Sequence, residues 1–87
     1  MSKVEGKEKK MTVREKTEYN LVLNGMSASD AKKVTDSAIF KMRVVTDYSI
    51  NWDDPSGYWS NADQLIIGLY TENATRELFP SFNPVIE

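Results

Sequence analysis

Apolar side chains recur at helical spacing in the middle and later parts of the chain, and turn-forming residues separate these stretches. Intervals of three and four residues bring side chains to one face of an α-helix. The clearer stripe comprises Ala31, Val34, Ala38, Met42 and Val45. The second stripe comprises Ala62, Leu65, Ile66, Leu69 and Tyr70. The pattern predicts an all-α protein in which these two faces are buried.

Capping residues set the limits of the predicted helices. Thr12 and Glu15 have the spacing of a capping box, in which each side chain accepts a hydrogen bond from the other residue's backbone N–H. Gly25 tolerates the left-handed conformation past a helix end, and Ser27 is a candidate N-cap for the helix that follows. Three helices are predicted, at residues 13–24, 28–46 and 61–78.

The segment between the second and third helices, residues 51–59, contains both tryptophans. Within it, the Asp-Pro-Ser-Gly run at residues 54–57 is a strong β-turn signal. We expect Trp52 to fill core, and Tyr58 or Trp59 to be the exposed aromatic side chain. The β-prone residues just before this loop leave a short strand open as an alternative.

Both ends of the chain differ in composition from the predicted helices. Residues 1–11 are rich in lysine and poor in apolar side chains, which predicts a flexible tail. Residues 12–87 are expected to form one domain, because a chain of this length supports a single core. Proline interrupts the apolar C-terminus, which predicts an extended tail with Phe79 and Phe82 as anchors. The predicted fold is a small three-helix domain with an ordered aromatic loop and an extended C-terminal tail.

Two residue types are absent from the sequence, cysteine and histidine. This excludes disulfide frameworks, thiolate zinc sites and catalysis by a Ser-His or Cys-His pair. We therefore expect a protein that is not an enzyme and has no metal site and no cofactor. No apolar run approaches the roughly 20 residues of a membrane span, and no secretory signal is visible, so the expected compartment is the cytoplasm.

Charge is divided unevenly along the chain, although the net charge is only −2. Residues 1–45 contain ten Lys and Arg against six Asp and Glu, whereas residues 46–87 contain Arg76 alone against seven acidic residues. Either the two halves attract each other in the fold, or a charged face attracts an oppositely charged partner.

The aromatic loop carries the first functional hypothesis. Tyrosine and tryptophan dominate the energetics of protein interfaces because they bury large areas at a low entropic cost. Asp53, Tyr58 and Trp59 are therefore the candidate partner-binding residues, in an aromatic and acidic patch suited to a basic protein. A homodimer that uses Phe40 and Val44 is a further alternative, although burial of these two side chains in the core is favoured.

A second hypothesis comes from the junction of the first two helices. The spacing of a helix, Gly25, an apolar residue, a serine and a second helix is similar to that of helix-turn-helix DNA-binding proteins. In that interpretation Lys32 and Lys33 of the second helix face phosphate, and Ser29 lies near the bases. The same pattern is typical of any αα-hairpin.

Several short motifs occur in a characteristic order: Thr-Val-Arg-Glu at 12–15, Leu21 through Gly25-Met26, Ala-Lys-Lys-Val at 31–34, Trp-Asp-Asp at 52–54, Gly57-Tyr58, Leu65 and Phe-Pro-Ser-Phe at 79–82. In this order the chain resembles a loose set of small, uncharacterised proteins encoded by tailed phages and prophages. The resemblance implies a phage accessory protein in the bacterial cytoplasm that binds a host or phage protein. Inhibition of a host defence or transcription component is one outcome of such binding.

Overall fold

The computed structural model describes residues 11–83, which form three α-helices and no strand. They are α1 (Val13–Leu23), α2 (Ala28–Val45) and α3 (Asn61–Leu78). The predicted all-α class is confirmed, and the first two helices end one residue earlier than predicted. The alternative of a short strand before the aromatic loop is wrong. Residues 1–10 of the predicted lysine-rich tail lie outside the described residues.

The helices begin where the capping residues predict. At α1 the Glu15 N–H donates to Thr12 Oγ1 over 3.1 Å, and the Thr12 N–H donates to Glu15 Oε1 over 3.0 Å. Ser60 and Asp63 form the same reciprocal pair at the start of α3. Ser27 accepts from the backbone of the first turn of α2. Each cap satisfies N–H groups that have no partner within the helix.

Helix α2 packs against both of the other helices and lies antiparallel to each of them. Met42, near the end of α2, packs in one cluster with Val13 and Ile67, which lie near the starts of α1 and α3. Ala31, near the start of α2, packs in a second cluster with Ala74, near the end of α3. The helices α1 and α3 therefore run in the same direction, and both pack against α2.

Two apolar clusters make up the core. The first contains Val13, Ile39, Met42, Trp52 and Ile67. The second contains Met26, Ala31, Val34, Ala38 and Ala74, with Phe79 and Phe82 packed against it. The prediction that Trp52 fills core is confirmed, and so are the two phenylalanine anchors. The tail bends between these anchors instead of running extended, because the Phe82 N–H donates to the Phe79 carbonyl across a Pro-Ser turn.

The buried face of α3 differs from the prediction. Leu65 and Leu69 are 76% and 54% exposed, whereas Ile67, Thr71 and Ala74 are buried. Ala74 packs among the alanines of α2, and such small side chains let two helices approach closely. The face of α3 is therefore chosen by its fit to α2 and not by its largest apolar residues.

The prediction that Phe40 and Val44 are buried is also wrong. They are 67% and 66% exposed, although Ala38 and Met42 on the same helix are buried. Two residues along a helix correspond to about 200° of rotation, so Phe40 and Val44 project away from the core. Val45, the last residue of the predicted stripe, is exposed because α2 ends there.

None of the helices within residues 11–83 has the length and apolar character needed to cross a bilayer.

Candidate functional site: the aromatic loop and the α1–α3 groove

The aromatic loop is fastened to α1 by two backbone carbonyl groups. The Trp52 carbonyl accepts from the Arg14 N–H over 2.9 Å, which satisfies a donor that has no partner inside the helix. The Gly57 carbonyl accepts from Lys16 Nζ over 2.6 Å. Because both bonds involve main-chain atoms, they fix the path of the loop whatever its exposed side chains are.

A tight turn at residues 54–57 forms as predicted. The Gly57 N–H donates to the Asp54 carbonyl over 3.0 Å, and the Asp54 carboxylate accepts from the Ser56 N–H and hydroxyl, each over 2.9 Å. The backbone bond from Ser56, followed by its hydroxyl bond, lowers the pKa of Asp54. Gly57 has a φ of +69°, and an added Cβ would lie 2.1 Å from the Met11 carbonyl oxygen. This position therefore requires glycine.

The start of the loop is joined to the start of α3 through Tyr48. Its hydroxyl donates a hydrogen bond to Asp63 Oδ1. This bond raises the pKa of Tyr48 and, together with the bond from the Ser60 N–H, lowers the pKa of Asp63. Asp63 thus caps α3 and anchors the loop at once. Only the spacing of the cap was readable in the sequence, and nothing there pointed to Tyr48.

The three predicted partner-binding residues differ in their surroundings. Tyr58 and Asp53 are exposed, and Asp53 Oδ1 lies 3.9 Å from Arg14 Nε. Trp59 is half-buried and packs against the first core cluster. Lys16 Nζ lies 4.1 Å from the centroid of the Trp59 ring, at cation–π distance. Tyr58 and Asp53 therefore offer surface contacts, whereas Trp59 supports the loop from beneath.

Trp59 also lines a groove between α1 and α3. The groove has a volume of about 590 Å³ and extends to Phe82 of the C-terminal segment. This volume lies within the range of ligand-binding clefts, about 300–1,000 Å³. Ile67 and Thr71 of α3 and Thr17 of α1 belong to its lining. We call this cavity the α1–α3 groove.

Threonine hydroxyls in the groove point their protons back into the helices. Thr17 donates to the Val13 carbonyl over 2.9 Å, and Thr71 donates to the Ile67 carbonyl over 2.8 Å. Thr75 does the same one turn further along α3, over 2.8 Å. A hydroxyl has one proton and two acceptor lone pairs, so these oxygens offer the groove acceptor sites.

Three side-chain carboxamides face the same space, Asn20 and Asn24 from α1 and Gln64 from α3. Within residues 11–83 none of them makes a side-chain hydrogen bond to the protein. Each carboxamide offers an acceptor oxygen and two donor hydrogens. Asn20 and Asn24 continue the helical spacing of the buried Val13 and Thr17, but both are exposed, so no signal of a groove was visible here in the sequence alone.

Gly68 brings bare backbone to the wall of the groove. An added Cβ at this position would meet nothing within 4 Å. Glycine inside a helix costs about 1 kcal/mol of stability relative to alanine. The fold itself therefore gives no reason for a glycine here. The charged lining side chains, Glu72 and Arg76, pair with each other over 2.6 Å at the exposed rim.

The residues of the DNA-binding hypothesis lie together at the start of α2. Ser29, Lys32 and Lys33 are all exposed. Arg14 at the start of α1 reaches Asp36 near the middle of α2 over 2.8 Å. DNA binding through the exposed residues at the start of α2 stays an untested prediction.

Two pairs of apolar side chains project from the outer surfaces of the helices. Phe40 and Val44 lie one turn apart on α2, and Leu65 and Leu69 lie one turn apart on α3. None of the four belongs to either core cluster. We call them the α2 apolar pair and the α3 apolar pair.

The chain has no counterpart in any of three comparisons. No known protein family, no curated protein and no solved structure matches it. Within residues 11–83, no group of three or more Asp and Glu side chains is placed to hold a metal ion.

Proposed function

We propose that this chain is a small, non-enzymatic accessory protein of the kind that tailed phages and prophages encode, and that it binds a host or phage protein in the bacterial cytoplasm. Inhibition of a host defence or transcription component is the biological outcome we infer from such binding. The observation that carries the proposal is the exposure of the α2 and α3 apolar pairs.

Exposed apolar side chains are ordinary when they occur singly. Here they occur as adjacent pairs on two helices, and Tyr58 adds an exposed aromatic ring on the loop. Exposed apolar side chains that neighbour each other are a feature of protein-binding surfaces. Burying one Phe, Leu or Val side chain in an interface contributes about 1.5–3 kcal/mol, which offsets part of the cost of association.

The proposal is tested by affinity capture from a bacterial lysate, followed by mass spectrometry. The wild-type protein is compared with Phe40→Asp/Val44→Asp and with Leu65→Asp/Leu69→Asp. All four positions are exposed, so the substitutions should leave the helical circular dichroism unchanged. We expect at least one double variant to lose the specifically captured protein. Capture that neither variant alters would contradict the proposed surface.

The matched control is Lys32→Glu/Lys33→Glu, which changes two exposed residues of α2 away from the α2 apolar pair. It should retain the captured protein. The same variant tests the DNA-binding alternative, since contacts to phosphate make association strongly dependent on salt. A salt-sensitive complex with duplex DNA that Lys32→Glu/Lys33→Glu abolishes would favour that alternative.

A further inference from the structure

The α1–α3 groove has the dimensions of an extended peptide. From Gln64 to Arg76 the helix rises about 18 Å at 1.5 Å per residue. An extended chain advances about 3.3 Å per residue, so some five residues span this length. The groove is bounded by aromatic side chains, Trp59 and Phe82. An extended occupant of this length would meet one ring near each end.

The chemistry of the groove matches a peptide backbone. An extended chain presents N–H and C=O groups in alternation, and it needs both acceptors and donors along its path. The threonine hydroxyls of Thr17, Thr71 and Thr75 supply acceptors, and the carboxamides of Asn20, Asn24 and Gln64 supply both kinds of group. The paired charges of Glu72 and Arg76 leave the lining without net charge.

Gly68 is the second observation that points to an occupant. The fold gains nothing from a glycine at this helical position, because a Cβ would meet no atom within 4 Å. A missing side chain lets another backbone approach the helix closely. At Gly68 the α3 backbone is therefore open to close approach by an occupant of the groove.

We propose that the α1–α3 groove binds an extended, uncharged peptide segment of a partner protein, with an apolar side chain against Trp59 and another against Phe82. This inference rests on the proposed protein-binding function. The carboxamides of α1 and α3 pair with the peptide backbone, and Gly68 admits it to contact distance with α3. The aromatic residues at the two ends set the register.

A helical peptide fits the groove less well than an extended one. A helix would present a hydrophobic stripe to Asn20, Asn24 and Gln64, which would leave their donors and acceptors without partners. An extended backbone satisfies these groups.

The probe is an array of synthetic peptides of about seven residues, a length that covers the groove at ~3.3 Å per residue. All members are uncharged and differ in the apolar residues near their two ends. A matched array replaces the central residue by Lys or Glu. We expect binding of uncharged members to the full-length protein, at least about tenfold tighter than that of their charged counterparts. Equal binding to both arrays would overturn the proposal.

Gly68→Leu fills the groove and replaces the glycine with a better helix former, so it should fold at least as well as the wild type. We expect it to lose peptide binding by about tenfold or more. Ala62→Leu is the matched control, because it enlarges an exposed residue of the same helix that does not line the groove. It should bind as the wild type does. Undiminished binding by Gly68→Leu would overturn the proposal.

Nuclear magnetic resonance locates the bound peptide without relying on mutants. The side-chain amide signals of Asn20, Asn24 and Gln64 should shift when the best-binding peptide is added. Shifts confined to the α2 and α3 apolar pairs would contradict the groove. Maltoheptaose serves as the carbohydrate probe, and we expect it to shift none of the three amide signals. If it shifts them, the occupant of the groove is a saccharide and not a peptide.

The outcomes separate this inference from the function on which it rests. If Gly68→Leu captures the same lysate protein as the wild type while Phe40→Asp/Val44→Asp does not, protein binding stands and the groove proposal fails. If no variant alters capture but the peptide array and amide shifts support the groove, the outer apolar pairs fail as the binding surface.

Discussion

The buried threonine hydroxyls of the helices differ in whether they have a hydrogen-bond partner. Thr17 and Thr71 donate to carbonyl groups of their own helices. Thr35 is buried on α2, but its Oγ1 has no hydrogen-bond partner among the described residues. A buried polar atom without a partner costs about 1–3 kcal/mol. Thr35 is therefore a local weakness, and Glu18 Oε2 is a second buried atom without a hydrogen-bond partner among the described residues.

Thr35→Val removes this hydroxyl and keeps the shape of the side chain. We expect the free energy of unfolding to rise by about 1 kcal/mol. Thr71→Val is the matched control, because it deletes a hydroxyl that does make a hydrogen bond and should lower stability by about the same amount. Urea unfolding followed by circular dichroism measures both. If Thr35→Val does not raise the free energy of unfolding, Thr35 has a hydrogen-bond partner in solution.

Replacing glycine by alanine should have opposite effects on stability at Gly57 and at Gly68. Gly57→Ala places a side chain at positive φ and against the Met11 carbonyl, so it should cost about 2 kcal/mol or more. Gly68→Ala meets no atom and should add about 1 kcal/mol. Thermal unfolding of the two variants checks the contrast. A destabilising Gly68→Ala would contradict the view that the fold does not need this glycine.

Element limits were predictable because their signals are local. Each of the three helices begins at a Ser or Thr whose side chain accepts from the next turn, and this spacing is visible in the sequence. The buried face of α3 was not predictable, because it depends on which neighbour packs against it. Leu65 and Leu69 fit a helical stripe as well as Ile67 and Ala74 do. Only the close approach of α2 decides between them.

The candidate site was likewise predictable only where its signals are local. The turn at residues 54–57 and the buried Trp52 follow from local signals and size. The α1–α3 groove does not, because it exists only where two helices run side by side without packing together. Asn20 and Asn24 are polar residues on the line that Val13 begins. In the sequence they are indistinguishable from the exposed face of a helix.

The bond between Tyr48 and Asp63 makes the loop–α3 junction sensitive to pH. The pKa of Asp63 is lowered in the folded protein, first by Tyr48 and then by the Ser60 N–H. Its contribution to stability is therefore present above the unfolded pKa of about 3.9 and is lost as the pH falls through the folded value. The pKa of Tyr48 is raised, so its contribution is lost as the pH rises above about 10.

Tyr48→Phe removes the hydrogen bond from the Tyr48 hydroxyl to Asp63. We expect the variant to be less stable than the wild type at neutral pH, because it loses the hydrogen bond to Asp63. The difference should shrink as the pH falls below about 4, since protonated Asp63 no longer benefits from the donor. Urea midpoints measured between neutral and strongly acidic pH test this. A difference that is constant with pH would show that Tyr48 acts through packing alone.

At the scale of the whole molecule, the uneven charge of the sequence is used inside the fold. Lys41 of the basic half forms an ion pair with Glu77 of the acidic half, and Arg14 lies 3.9 Å from Asp53. Lys16 adds its hydrogen bond to the Gly57 carbonyl and its contact with Trp59. Attraction between the halves thus accounts for part of the asymmetry without a partner. The exposed apolar pairs, in contrast, have no such role inside the fold.

A charge swap tests whether this attraction aligns α2 with α3. Lys41→Glu sets two carboxylates against each other, and Glu77→Lys sets two ammonium groups against each other. Each single variant should lose about 0.5–1 kcal/mol, the usual scale for pairs that are partly exposed to solvent. The double variant restores opposite charges and should recover most of the loss at low salt, as measured by chemical unfolding. Losses that merely add in the double variant would mean that the two side chains do not interact in solution.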